Sequence, residues 1–278
     1  MVTTTTIATT LRGRGTRFDG KIILITGASS GIGRQAAIDF ANNGAMAIIL
    51  VGRSEYKLTD VAALINSKCK TMVYVCDVSN KTEVINLGRE VINTFGRIDI
   101  LVNNAGFGIF GKVQDQSIEQ IESITTTNYY GMIYCTKVFL DSMLYNKSGH
   151  IVNVASVAAS FGVPGLAAYC GSKYAMLGFS ESLYHELYGT GVGITVVSPI
   201  AVKTNFFNNK SFGGKMPNYV GYALDPKAVS NAIMKAANSP RLEIIVPFFI
   251  RAGVWLKQTL PYIINPVVGA AFRRKLRH

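Results

Sequence analysis

Short, almost uninterrupted apolar runs alternate along this chain with longer stretches of helical period, and that alternation limits the folds open to it. The runs are 21–26 (KIILIT), 45–51 (AMAIILV), 71–76, 98–102, 151–155, 193–197 and 242–246. Between them, 31–43, the polar stretch through Ser67, 81–95, 117–145, 166–187 and 226–237 read as helices. A strand that is apolar at nearly every position is buried on both faces, and strands separated by helices of this length pair in parallel beneath them. The pattern predicts an α/β fold over residues 20–247: a doubly wound parallel sheet of about seven strands with helices on both faces.

Composition agrees with a packed domain. Hydrophobic residues make up 49% and charged residues 16% of the 278, against roughly 25% charged in an average soluble domain. A disordered chain has the opposite balance. The net charge of +12 would suit an anionic partner, but it is concentrated at the ends. Residues 1–20 carry +2 and residues 251–278 carry +6 with no acid, which leaves +4 for the 230 between. Terminal charge, without basic and aromatic residues interleaved on a recognisable module, argues against nucleic acid. Cys69, Cys76, Cys135 and Cys170 lack C-x-x-C spacing and read as reduced thiols; His150, His185 and His278 lack ligand spacing, so no metal is expected. The Thr-rich start has no apolar centre of a secretory signal. Residues 1–19 are expected to be a loose tail, with a transit peptide as the alternative, on a cytoplasmic protein.

The first run ends in Thr26-Gly27-Ala28-Ser29-Ser30-Gly31-Ile32-Gly33, within which a helix begins. Glycine permits a tight turn and close approach to phosphate, and a helix N-terminus offers free N–H groups and a positive dipole end. Gly27, Ser29, Ser30, Gly31, Ile32 and Gly33 therefore form the candidate dinucleotide cradle. With its G-x-x-x-G-x-G spacing the turn resembles that of the short-chain dehydrogenase/reductase family, and the resemblance extends over about residues 20–247. It implies a Rossmann-like sheet. About 20 residues past the last glycine, a carboxylate would hold a free ribose 2′-hydroxyl; this chain has Arg53-Ser54 there. An arginine suits a 2′-phosphate through a charge-assisted fork, and Ser30 or Ser54 can add a hydroxyl. The cofactor expected is NADP(H). The resemblance also places Asp77-Val78 against the adenine and Asn104-Ala105-Gly106 beside the cofactor, the latter segment in part structural.

Tyr169-Cys170-Gly171-Ser172-Lys173 supplies Y-x-x-x-K on a predicted helix, with phenol and ammonium on one face. A tyrosine near pKa 10 is a poor base at neutral pH, and a nearby cation favours its phenolate. Ser156 lies 13 residues upstream, the spacing of the family's catalytic serine. Asn128 matches the family's helix asparagine, which supports a water path from the lysine to solvent. By the resemblance, hydride passes between nicotinamide and a carbonyl carbon, Tyr169 supplies the proton, Ser156 polarises the oxygen, and Lys173 also holds the nicotinamide ribose. Pro199, Val202 and Thr204 match positions around the nicotinamide carboxamide. Ile200 stands where the family usually has glycine, which leaves the backbone turn there open.

Two segments bear on the substrate. Residues 205–225 form an irregular stretch long enough to be functional; it resembles the family's substrate lid and holds Phe206, Phe207, Phe212, Tyr219, Tyr222, Lys210 and Lys215. An apolar carbonyl or alcohol is expected, such as a 3-oxoacyl compound. Residues 248–278 form an apolar and basic extension whose charge-free run, 258–272, is too short to span a bilayer. Its aromatics beside basic residues suit an interfacial helix on anionic lipid; the alternatives are a cover over the active site or a subunit contact. The resemblance implies a homodimer or homotetramer through the helices near 120–145 and 166–187. The rival to an NADP-dependent enzyme acting on CH–OH groups is a cofactor-binding regulatory or structural protein on the same fold.

Overall fold

The computed structural model describes residues 17–65, 67–206 and 222–276, without the side chains of 271–276. The expected tail up to residue 16, Phe207, Lys210, Phe212, Lys215 and Tyr219 of the expected lid, and Arg277 lie outside the described residues.

The strands are β1 (Ile22–Thr26), β2 (Ala47–Gly52), β3 (Lys70–Val75), β4 (Ile100–Asn103), β5 (Gly149–Val154), β6 (Val192–Pro199) and β7 (Glu243–Val246). They pair in parallel throughout, in the order β3-β2-β1-β4-β5-β6-β7. The intervening helices are α1 (Gly31–Asn42), α2 (Glu55–Ala63), α3 (Lys81–Phe95), α4 (Ile118–Thr125), α5 (Gly131–Tyr145), α6 (Ala167–Glu186) and α7 (Pro226–Asn238); α8 (Ile250–Thr259) and α9 (Pro261–Leu276) follow the last strand.

The apolar strands are divided between two cores because side chains alternate across the sheet. Ile23, Ile25, Ile48 and Leu50 face one side with Phe40 of α1, Leu58 of α2 and Ile233 of α7. Ile22, Leu24, Ile49 and Leu101 face the other with Leu87 of α3, Phe139 of α5 and Leu183 of α6. Each fully buried side chain of this size contributes about 1.5–3 kcal/mol, which is why the strands tolerate almost no polar residue. The buried polar exceptions are mostly paired, although Asn103 Oδ1 has no hydrogen-bond partner. Asn103 of β4 donates to Asn153 Oδ1 of β5 at 2.9 Å, and Asn153 donates to Ser180 Oγ of α6 at 2.9 Å. Asp39 of α1 accepts from Ser230 Oγ and Lys227 Nζ of α7, tying these two helices together.

The region 117–145, expected as helical, is helical from Ile118 to Tyr145 but is not uniform. A π-helical turn at Thr126–Tyr130 separates α4 from α5. Such a turn inserts an extra residue and re-aims the side chains within it, and Asn128 lies in it, fully buried.

His150, at the start of β5, is buried with Nε2 3.1 Å from Thr195 Oγ1. Burial pulls its pKa down to about 4. The unfolded chain, with histidine near 6.5, therefore binds a proton that the folded chain does not between about pH 6.5 and 4. Stability conferred by neutral His150 is present above that window and is lost as the pH falls through it. We expect urea midpoints to decline over this range by an amount equivalent to about 3 kcal/mol for this group. His150→Gln is expected to flatten that limb.

Candidate active site

The sheet order reverses between β1 and β4, and the crevice beyond their C-terminal ends is where open α/β sheets bind ligands. Here the chain cross-links the two strand ends. Thr26 Oγ1 accepts from the backbone N–H groups of Asn104 and Ala105, both at 3.0 Å. Asn104 Nδ2 donates to the carbonyls of Thr26 at 3.0 Å and Gly27 at 3.3 Å. The Asn104 side chain is thus committed to holding the glycine-rich turn.

The turn needs its glycines. Gly27 and Gly31 have φ of +64° and +54°, the left-handed region that costs other residues energy. Gly33 lies in ordinary helix, but a Cβ there would stand 2.4 Å from the Gly27 carbonyl oxygen and 2.6 Å from Asn104 Nδ2. α1 is therefore pressed directly onto the turn. Its N-cap, Ser30, is exposed and makes no side-chain cap, so the first helical N–H groups face the crevice. This tight, N–H-lined cradle fits a pyrophosphate.

The remaining cofactor candidates surround it. Arg53, at the end of β2, is exposed, and its Nη1 is 3.9 Å from Asp77 Oδ2 beyond β3. Ser29 Oγ lies beside Gly52, just before Arg53, and Ser54 is the N-cap of α2 with no side-chain cap bond. Asp77 also accepts from the backbone and hydroxyl of Ser79. Val78 is buried, with its side chain and its carbonyl oxygen both against Gly131. On the other side of the crevice, the Thr204 methyl packs at the α1 start beside Gly31. Val202 forms a bridge with Leu224, and Pro199 ends β6. Ile200 fits without glycine: its N–H donates to Val246 O at 2.9 Å, and among the described residues Lys147 is the one non-glycine residue with positive φ.

α6 carries Tyr169 and Lys173 one turn apart, as the spacing predicts. Lys173 is buried; its Nζ donates to Val154 O of β5 at 3.0 Å and lies 5.7 Å from the Tyr169 ring centre. Burial pulls the Lys173 pKa down to about 7. Burial also pushes the Tyr169 phenol above the usual tyrosine range, opposed by a hydrogen bond with the Ser156 side chain. Ser156 follows β5; its Oγ accepts from Ala158 N at 3.1 Å and donates to Pro199 O at 3.4 Å. Asn128 lies behind this group. Its Oδ1 accepts from Phe107 N, and its Nδ2 donates to Phe107 O and Ser172 Oγ, each at 2.9 Å. Ser172 Oγ in turn donates to Tyr169 O at 2.7 Å. Asn128 thus holds the segment after β4 against the helix that bears Tyr169. Gly106 permits this approach, since a Cβ there would meet Asn128 Oδ1 at 3.0 Å.

Ser156 and Tyr169 both face a cleft of about 730 Å³. Its other walls are almost wholly apolar and include Phe161, Val163, Leu166 and Phe206, with Phe249 and Val268 from the C-terminal helices. A carbonyl oxygen between the two hydroxyls can accept from both, while the rest of the molecule contacts hydrocarbon. Sequence reasoning missed several residues of this arrangement, among them Thr26, Ser172 and Phe161. Thr26 directly precedes Gly27, and Ser172 lies inside the Y-x-x-x-K stretch, so both were visible in the motifs. Phe161 carried no such signal. Among the described residues no group of three or more His, Cys, Asp or Glu could hold a metal ion.

The close approach at Gly33 gives a direct test. Gly33→Ala is expected to destabilise the fold by about 1–3 kcal/mol through overpacking. Gly178→Ala, on α6 with open space around it, should be neutral or stabilise by up to about 1 kcal/mol. Thermal melts of the two variants check both.

Comparison with known proteins agrees with this geometry. Residues 21–212 match the family model described as short chain dehydrogenase. The chain is 35% identical to human estradiol 17-beta-dehydrogenase 11 over 250 residues, 87% of this chain and 80% of that protein. It is 29% identical to dehydrogenase/reductase SDR family member 7B of Xenopus laevis over 276 residues, 95% of this chain and 85% of that one. It is also similar to the crystal structure of a short chain dehydrogenase/reductase from Burkholderia phymatum in complex with NAD, with a TM-score of 0.80 and 28% identity, covering 89% of this chain and 96% of the other. A metagenomic short-chain oxidoreductase in complex with NADP has a TM-score of 0.72 and 26% identity, covering 83% and 98%. With its parallel sheet, glycine cradle and matched sequence, the chain belongs to the short-chain dehydrogenase family of oxidoreductases.

Proposed function

We propose that this chain interconverts an apolar, lipid-like ketone or aldehyde and its alcohol with NADP(H). The observation that carries this reading is the convergence of Ser156 and Tyr169 on one otherwise apolar cleft of about 730 Å³. The printed names of two relatives, estradiol 17-beta-dehydrogenase and epidermal retinol dehydrogenase, refer to apolar alcohols and are in keeping with it. A 3-oxoacyl compound is a further candidate of the same class.

When bound, the dinucleotide supplies or accepts the hydride. The Ser156 hydroxyl donates to the substrate oxygen and orients it. The Tyr169 phenol donates its proton to that oxygen as an alkoxide develops, and takes it back in the reverse direction. The Lys173 ammonium beside the ring favours the phenolate that donation leaves, and its position next to the crevice suits it to hold the nicotinamide ribose. Asn128 acts as a positioning residue through Phe107 and Ser172, with a relay of protons from Lys173 outward as its second proposed role. The apolar walls exclude water, which strengthens both hydrogen bonds to the oxygen.

Tyr169→Phe is expected to lower kcat by about 10²–10⁴-fold across a panel of apolar ketones followed by NADPH oxidation. Full activity in that variant would refute the mechanism and favour a binding role. Because reduction delivers a proton and oxidation removes one, kcat/KM for reduction should fall as the pH rises through the tyrosine titration, while that for oxidation should rise.

The choice of NADP over NAD rests on Arg53. Complexes of similar proteins hold either cofactor, so the fold does not decide between them. A 2′-phosphate at the end of β2 would meet the Arg53 guanidinium, with Ser29 and Ser54 close by, and compete with Asp77 for it. Arg53→Ala is expected to reduce the preference for NADPH over NADH by about tenfold or more. An enzyme that prefers NAD from the outset would overturn the assignment.

A further inference from the structure

α8 and α9 present apolar surface in two directions. Inward, Phe249, Ile250, Gly253 and Val268 line the catalytic cleft. Lys257 fastens this side: its Nζ donates to Ser160 O at 2.6 Å and to the Tyr174 hydroxyl at 2.9 Å, and lies over the Phe161 and Tyr174 rings. Outward, Phe248, Trp255, Tyr262, Ile263 and Val267 are exposed, Trp255 at 63% and Tyr262 at 93%. Scattered exposed apolar residues need no explanation, but these five fall within a span of twenty residues. Ile263 and Val267 are four residues apart on α9, the spacing that stacks side chains on one side of a helix.

Charge selects what covers this surface. Residues 248–278 contain six Lys and Arg and no Asp or Glu. Lys257 is turned inward, and the sequence supplies five further basic residues, Arg251, Arg273, Arg274, Lys275 and Arg277, to this part of the chain. A second copy of the chain would bring the same basic residues to the same face, like charge against like. A bilayer with anionic headgroups matches both the apolar and the basic part. Among the described residues no helix is long and apolar enough to cross a membrane, so the contact is interfacial.

We infer that α8 and α9 dock on an anionic lipid surface through Phe248, Trp255, Tyr262, Ile263 and Val267, so that the cleft mouth beside Phe249 and Val268 opens at the membrane. An apolar substrate then enters from the lipid rather than from water; this second part rests on the substrate class proposed above, and the docking does not.

Trp255 is the single tryptophan of the chain, so tryptophan emission, excited at the red edge where tyrosine does not absorb, reports on this face. The full chain is mixed with vesicles of phosphatidylglycerol or phosphatidylcholine, with and without brominated acyl chains. The expected result is emission at shorter wavelength, quenching by the brominated lipid and co-flotation, with phosphatidylglycerol and weakened by salt. Ile263→Glu combined with Val267→Glu keeps Trp255 and touches no cleft-lining residue. It should weaken vesicle binding about tenfold or more while leaving the melting temperature and turnover of a small water-soluble carbonyl unchanged. Absence of quenching on anionic vesicles, or equal binding to neutral ones, overturns the inference. So does a blue shift that needs no lipid and tracks dimer formation in sedimentation, which assigns the face to a second copy. Quenching needs no turnover, so its failure leaves the catalytic reading standing, and an inactive enzyme that binds vesicles leaves the docking standing.

Discussion

The cross-link between the ends of β1 and β4 is the constraint on which the site depends. At this point the sheet order reverses and neighbouring helices depart to opposite faces, so a crevice opens whatever the side chains are. Left alone, the two strand ends would present unsatisfied backbone groups to that crevice. Thr26 and Asn104 satisfy them with four hydrogen bonds, all within about the ordinary range of length. The same bonds fix the Gly27 carbonyl against which α1 is packed. Shape and electrostatics therefore come from one arrangement: the helix start cannot retreat, and its N–H groups are held toward the ligand.

The reacting groups depend on a second frame, at β5 and α6. Val154 O of β5 holds the Lys173 ammonium, and the Asn103–Asn153–Ser180 bonds fasten β4, β5 and α6 together below it. Burying a lysine is costly unless its hydrogen bonds are met, and burial here draws its pKa to about 7. The sheet supplies the acceptor that meets this cost, and the ammonium lies 5.7 Å from the Tyr169 ring centre. The π-helical turn serves the same end, since it turns Asn128 inward to bind both the loop after β4 and Ser172. The far side of the cleft is lined by residues of α8 and α9, which are fastened through Lys257 to the loop after Ser156. Catalytic and C-terminal parts thus share a wall.

Much of this was legible in the residues. The seven strands, their parallel pairing and the positions of Tyr169, Lys173 and Ser156 followed from apolar runs and motif spacing, because a strand buried on both faces and a pair at i and i+4 leave a local record. The π-helical turn at Thr126–Tyr130 was not legible: an inserted residue in a helix leaves the polar and apolar order almost unchanged. The roles of single residues were legible only in part. Asn104 was placed beside the cofactor in a segment expected to be partly structural, but that its amide binds the Thr26 and Gly27 carbonyls was not visible. Lys257 was grouped with the basic residues of the C-terminus, yet it points inward. Both depend on which distant carbonyl lies within reach.

By itself the sequence determined the fold class and the glycine-rich turn and singled out the candidate reacting side chains, since periodicity and motif spacing are properties of neighbours along the chain. The tertiary structure alone decided what surrounds them. It brought Phe161, Phe206, Phe249 and Val268, more than a hundred residues apart at the extremes, into one apolar wall. It set the pKa of Lys173 through burial, and it divided the C-terminal helices into a face on the cleft and a face in the open. Each of these is a relation between surfaces that meet only when the sheet has formed, so no local pattern could encode it.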